Sequence, residues 1–176
     1  MLSPDDRSIR PATPADAAAV ADLAARTFHD TFVADNKAED MAAHLKKNYG
    51  TAIQAAEIAD PSMVTLVMEH EGRLVAYAQL RSGAAPPCVS GERPIEIWRF
   101  YVDKALIGRG IARILMDRTM QEIAARGADV VWLGVWERNL RAQAFYRKCG
   151  FAQVGTQFYD VGTDRQTDHV MARSMA

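Results

Sequence analysis

Apolar positions along the chain recur first at helical and then at strand spacing, and the changes of period mark out the elements. Val20, Leu23, Ala24, Thr27 and Phe28 fall three or four apart behind Thr13-Pro14-Ala15-Asp16. A cap residue, a proline at the first helical position and an acid in the first turn start a helix well, so the spacing predicts a first helix to about Phe32, with a short strand at 8–11 before it. Residues 38–48 and 51–59 continue the helical pattern. The period then changes. Residues 63–68 and 74–80 are apolar runs around a His70-Glu71-Gly72 turn and read as a hairpin. Residues 82–94 are rich in Gly, Pro, Ser and Ala, a long loop within one domain.

Residues 95–102 form a β-branched and aromatic run, the central strand. It leads into Gly108-Arg109-Gly110, and behind that turn Ile111, Leu115, Met116, Met120 and Ile123 give a helix with one broad apolar face, ending at Gly127. Residues 129–135 are apolar throughout and suit a buried strand parallel to the central one. Asn139 caps a short helix over 140–148, closed by Gly150, and strands at 152–159 and 167–172 flank a turn around Gly162. The order predicts an α/β (α+β) fold, a single domain over residues 1–176 with a mixed sheet.

Composition adds little to this pattern. Apolar residues make up 49% and charged residues 24% of 176, with a formal net charge of -1. That is ordinary for a globular domain and gives no general attraction to nucleic acid or an anionic membrane. The N-terminal stretch lacks signal-peptide character and no run is long enough to span a bilayer, so a cytoplasmic location is expected. Cys88 and Cys149 have neither CxxC spacing nor a histidine pattern, which predicts reduced thiols and no metal site.

The glycine turn is the first candidate for chemistry. A strand, a glycine turn and a helix N-terminus aim unpaired N–H groups and the positive end of a helix dipole at one spot, where an anion fits. The dinucleotide fingerprint fails at Arg113, and no Gly-Lys-Ser/Thr is present for a P-loop. What remains is a small-residue turn with two arginines, Arg109 and Arg113, consistent with a pyrophosphate or with a plain tight turn.

The run W-L-G-V-W-E-R-N-L-R-A-Q-A-F-Y-R-K-C-G-F, from Trp132 to Phe151, resembles the second signature of the GCN5-related N-acetyltransferases (GNAT). The central segment resembles their first, Gln/Arg-x-x-Gly-x-Gly/Ala: Gly110 and Ala112 fill the last two places, and Ile107 departs from the first. F-H-D-T-F near the start, and F-Y, Q-T-D and a following Met near the end, are similar to the bacterial spermidine/spermine acetyltransferases of the PaiA type.

The resemblance implies a mostly antiparallel central sheet with a parallel, splayed pair, flanked by helices. It implies acetyl-CoA as co-substrate, its pyrophosphate on the backbone of Gly108, Arg109, Gly110, Ile111, Ala112 and Arg113 and its acetyl end along Phe100, Tyr101 and Val102. A backbone N–H there would hydrogen-bond the thioester oxygen. Asn139 would contact the cofactor chain, and Tyr146 would protonate the leaving thiolate, a half-buried aromatic being the alternative.

Glu96 stands where the histone-acetylating branch has its base; the alternatives are an ion pair with Arg99 or Arg81, and a water that carries the proton. Asp30, Asp35 and Glu39, with Asp40, fall where the family forms one wall of the acceptor groove and suit a polyamine, or else form a solvated helix face. His29 and His44 either line the same wall or satisfy local hydrogen bonds, and Trp98, Trp132 and Trp136 read as packing residues. The implied activity is direct acetyl transfer to a small primary amine, with a homodimer as an associated expectation. A peptide N-terminus, a lysine, a xenobiotic amine or a non-catalytic acyl-CoA sensor are the rivals.

Overall fold

Strand alternation, rather than any single contact, decides what this molecule presents on each side of its sheet. The computed structural model describes residues 7–175, and the polar leader over 1–6 lies outside them. The elements are β1 (Arg7–Pro11), α1 (Ala17–Phe32), α2 (Ala38–Asn48), α3 (Thr51–Ala59), β2 (Met63–His70), β3 (Arg73–Ser82), β4 (Pro94–Val102), α4 (Ile111–Ala125), β5 (Val130–Trp136), α5 (Leu140–Lys148), β6 (Ala152–Val161) and β7 (Asp164–Ser174). Their order is the one the periodicity predicts. The last two strands run longer than expected, because their polar ends pair in the ladder without adding apolar signal. No helix among the described residues is long and apolar enough to cross a membrane.

The seven strands lie in the order β1-β2-β3-β4-β5-β7-β6. Every pairing is antiparallel except β4 with β5. That parallel ladder holds Pro94, Ile95 and Glu96 against Val130, Val131 and Trp132, and then ends. β4 stays paired to β3 as far as Val102, and β5 stays paired to β7 as far as Trp136. The two central strands therefore diverge into a wedge. A bulge in β4 at Trp98, where the register slips between Gln79 and Leu80 of β3, adds local twist at the root of that wedge.

One face of the sheet carries Ile95, Ile97, Val131, Leu133 and Met171, which α4 covers with Ile111, Leu115, Met116 and Ile123 and α5 with Tyr146. The other carries Val67, Tyr77 and Val161, covered by Val20, Leu23, Ala24 and Phe28 of α1 and Met41 of α2. Glu96 shares this second face with Arg81 of β3 and Trp132 of β5, its register partners. Two cores thus clamp the sheet, and the wedge opens between them.

Candidate active site

The turn that follows β4 is anchored by Asp103. Its N–H reaches Val75 O at 2.8 Å, and its carboxylate meets Arg26 at 2.5 Å, Arg73 at 3.2 Å and Ala105 N–H at 3.1 Å. Beyond it, Gly108 and Gly110 take φ of 82° and 81°, a left-handed backbone open to glycine, and nothing stands within 4 Å of where a Cβ would be on either. Gly110 is the N-cap of α4.

The N–H groups of Gly108, Gly110, Ile111 and Ala112 find no acceptor among the described residues, whereas Arg109 N–H bonds Leu106 O at 3.3 Å and Arg113 N–H bonds Gly110 O at 3.1 Å. Four donors in the turn and the first residues of α4 are therefore unpaired among the described residues. Of the two arginines, Arg113 is engaged: its guanidinium pairs with Asp117 at 2.9 Å, and it lines a separate groove with Cys149 and Arg173. Arg109 is exposed and makes no ion pair among the described residues. The Ile111 side chain is core, 1% exposed, so this residue can offer only its backbone to a ligand.

Next to the turn is a cavity of about 290 Å³ whose lining carries both signs of charge. Asp30 of α1 and Asp35 just after it line it. So do Lys104, Ile107, Arg138, Asn139 and Arg141, with Val102 at the end of β4 and Trp136 at the end of β5. Ile107, the departure from the first signature, is 39% exposed here and gives the wall an apolar contact.

Asn139 begins α5: its side-chain oxygen accepts Ala142 N–H at 3.1 Å. The cap leaves the amide NH₂ free to donate. Gln143, buried and not singled out by the motif, donates to Trp136 O and Glu137 O at 3.2 and 2.8 Å and so fixes the turn from β5 to α5. One α5 turn further on, the Tyr146 ring packs edge-on to Phe100 of β4, centroids 6.3 Å apart, and edge-on to Phe151 at 5.9 Å.

The Tyr146 hydroxyl has no hydrogen-bond partner among the described residues, yet it is not one of the sealed, unpaired polar atoms, so it reaches open space. Burial of the ring, with a smaller contribution from Cys149, pushes this phenol above its ordinary pKa. It stays protonated at neutral pH.

Glu96 occupies the root of the wedge, 7% exposed, and its carboxylate bonds Arg81. Of the two ion-pair partners the sequence leaves open, the structure shows Arg81. Burial raises the Glu96 pKa and the Arg81 hydrogen bond opposes it. Arg99 turns instead to Glu57 and Gln79, each at 2.6 Å, and its guanidinium carbon lies over the Trp98 ring, 3.7 Å from the centroid, with that of Arg81 over the same ring at 4.3 Å. Trp98 is thus a cation platform at the bulge and not simple packing.

The acidic group expected on the acceptor wall divides. Asp30 and Asp35 line the cavity; Glu39 is exposed on α2 and does not. Asp40 is turned to the β6–β7 hairpin. His44 is structural: it stacks on Phe28 at 4.4 Å and meets the Tyr159 hydroxyl at 3.3 Å, and burial lowers its pKa. Asp168, in the sequence only the last residue of a Q-T-D run, is buried on the Glu96 face of the sheet.

A wedge between parallel strands, four free N–H groups at the end of it, a buried tyrosine with an open hydroxyl and a free amide at Asn139 together fit acetyl-CoA: pyrophosphate on the donors and the long arm in the wedge. Residues 20–151 match the model of the Acetyltransferase (GNAT) family. An uncharacterized N-acetyltransferase of Mycobacterium tuberculosis is 35% identical over 160 residues, 91% of this chain and 98% of its own length. The N-alpha-acetyltransferase RimI of the same organism is 37% identical over 63% of this chain and 68% of its own. In fold, the PaiA N-acetyltransferase of Thermoplasma acidophilum, solved in complex with coenzyme A, superposes with a TM-score of 0.76 over 96% of this chain and 98% of its own, at 17% identity. The chain belongs to the GNAT family and is an acetyl-CoA-dependent N-acetyltransferase.

Proposed function

We propose that the acceptor is a polyamine such as spermidine or spermine and that the acetyl group passes to it directly. The observation that carries this reading is the mixed charge of the cavity lining. Its basic residues, Lys104, Arg138 and Arg141, suit the phosphates of the donor, and its acidic residues, Asp30 and Asp35, suit the remaining ammonium groups of a polycation. A monoamine has one charge and leaves none to engage two aspartates once its nitrogen is in place for reaction.

When bound, acetyl-CoA supplies an activated acyl thioester. The N–H groups of Gly108, Gly110, Ile111 and Ala112 hold the pyrophosphate, and Arg109 adds charge beside them. The unpaired edge of β4 at Phe100, Tyr101 and Val102 aligns the arm, and the Asn139 amide donates to it. Tyr146 holds a proton at its phenolic oxygen and gives it to the leaving sulfur. Glu96, paired with Arg81, fixes the root of the wedge.

An enzyme-bound acetyl group has no good nucleophile to sit on: Cys149 is buried and burial raises its thiol pKa, while Cys88 packs against Gly155 of β6.

A panel of amines with acetyl-CoA, followed by thiol release, tests the acceptor. Turnover is expected to be greatest with spermidine and spermine. The likeness to RimI favours a second reading, acetylation of a peptide α-amine, and strong peptide turnover with none on spermidine would establish that instead.

A further inference from the structure

Four carboxylates are buried among the described residues, and three are partnered: Asp40 by Thr163, Glu96 by Arg81, Asp103 by Arg26 and Arg73. Asp168 is the fourth. It is 8% exposed and has neither a hydrogen bond nor an ion pair among the described residues. Its oxygens are nonetheless not sealed, since the buried unpaired side-chain atoms are Gln54 Nε2, Tyr77 OH and His169 Nδ1. A desolvated carboxylate that opens onto space without a protein partner costs stability and is placed to meet a ligand.

The register tells where it opens. Asp168 pairs with Trp136 of β5 and Gln157 of β6, on the face of the sheet that carries Glu96. A Cβ on Gly134 would lie 3.0 Å from Asp168 Oδ2 and 2.6 Å from Gln157 Nε2, so the carboxylate leans over Gly134 and depends on the missing side chain there. Gly134 is two residues beyond Trp132, the last β5 residue paired with β4. The carboxylate therefore overhangs the start of the wedge, on the face opposite α5 and Tyr146.

We propose that Asp168 is the proton acceptor for the incoming amine, with Tyr146 as the proton donor from the other face. The inference rests on the amine acetyltransfer proposed above. Asp168 takes one proton from the substrate ammonium, and the freed nitrogen lone pair forms the C–N bond. As the C–S bond breaks, Tyr146 gives its phenolic proton to sulfur. Of the two protons then on the new amide nitrogen, one restores the phenol and one stays in the product, and Asp168 releases its own to water before the next turnover. One proton is liberated for each acetyl transferred.

The electrostatics agree with this role. Burial, with Glu137 adding like charge, pushes the Asp168 carboxyl up to about 6, so it is ionised at neutral pH and more basic than a surface aspartate. Besides Glu137 at the end of β5, the titratable group it faces is Tyr159 of β6, whose hydroxyl meets His44 of α2; α1 presents Phe32, against Trp136. Glu96 is the weaker candidate because Arg81 already holds its carboxylate.

The test is kcat and kcat/KM for spermidine from pH 5 to 9 in wild type, Asp168→Asn and Asp168→Glu, with acetyl-CoA affinity measured by calorimetry. Wild type is expected to lose activity below an ionisation near 6. Asp168→Asn should lower kcat at pH 7 by about 10²-fold and lose that acid limb while binding acetyl-CoA normally, and Asp168→Glu should restore the limb. A wild-type profile flat from pH 5 to 7, or Asp168→Asn with unchanged kcat and limb, overturns the proposal; the wild-type profile decides even if the variants fold poorly. Wild type inactive on every amine would overturn the acceptor reading and this inference with it, a result separable from an active enzyme indifferent to residue 168.

Discussion

The Asp40 carboxylate accepts both the Thr163 N–H, at 2.7 Å, and the Thr163 hydroxyl, at 2.9 Å, and so ties α2 to the turn between β6 and β7. Gly162 completes the fit: it has φ of 60°, and a Cβ there would lie 2.3 Å from Asp40 Oδ1. This clamp removes Asp40 from the acidic wall and gives it a structural task. Asp40→Asn and Gly162→Ala are each expected to lower the melting temperature, and neither should change KM for spermidine. Thermal melts beside steady-state kinetics check both halves.

Asp30 and Asp35 carry the opposite expectation. Both stand at the cavity, where attraction to a cationic tail is partly screened by water and is worth about 0–1 kcal/mol per charge. The double variant Asp30→Asn with Asp35→Asn should raise KM for spermidine roughly tenfold with kcat largely kept, whereas Glu39→Gln should do nothing. Equal KM values in the double variant and wild type would remove the acidic wall from substrate recognition.

The glycine turn predicts a split between binding and chemistry. Gly110 sits at φ 81°, where a side chain costs about 1–2 kcal/mol. Gly110→Ala should therefore weaken acetyl-CoA binding about tenfold by calorimetry, through displacement of the N–H groups, with little loss of kcat at saturation. Gly72→Ala, at φ 73° in the β2–β3 turn, is the control. It should lower stability without touching affinity.

Asp168 also predicts how stability changes with pH. Its carboxyl ionises near 3.8 unfolded and at about 6 folded. Between those values the folded state keeps a proton that the unfolded state has lost, so this group's contribution falls as pH rises through the window. In Asp168→Asn that loss is absent, and relative to wild type the variant should gain on the order of 2 kcal/mol between pH 4 and pH 8. Denaturant titrations of the two proteins at both pH values check it; parallel pH dependences would contradict the unpartnered state of this carboxylate.

Much of this was legible in the sequence, for identifiable reasons. Helix α4 and the turn before it announce themselves because glycine, an anion-friendly terminus and an apolar stripe coincide over about twenty residues. Tyr146 and Asn139 are legible through a local motif on one short helix. Glu96 was found by position, but its pairing with Arg81 depends on register between β3 and β4, and a bulge at Trp98 sets that register. Asp40 and Asp168 were illegible for the same reason: each acquires its meaning from residues more than twenty positions away. Thr163 is the far partner of Asp40, and Gly134 makes the room for Asp168. Alternation did foretell which face Asp168 occupies once its strand was drawn; nothing local could say that it lacks a partner there.

Tyr146→Phe is the most direct test of the account. In the proposed reaction the phenol is the acid; in the variant the ring keeps its place against Phe100 and Phe151 and only the hydroxyl is removed. Thiol release from acetyl-CoA in the presence of saturating spermidine should fall by about 10² or more in kcat, with acetyl-CoA affinity unchanged by calorimetry. An unaltered kcat, with pre-steady-state traces showing that chemistry limits turnover, would contradict it.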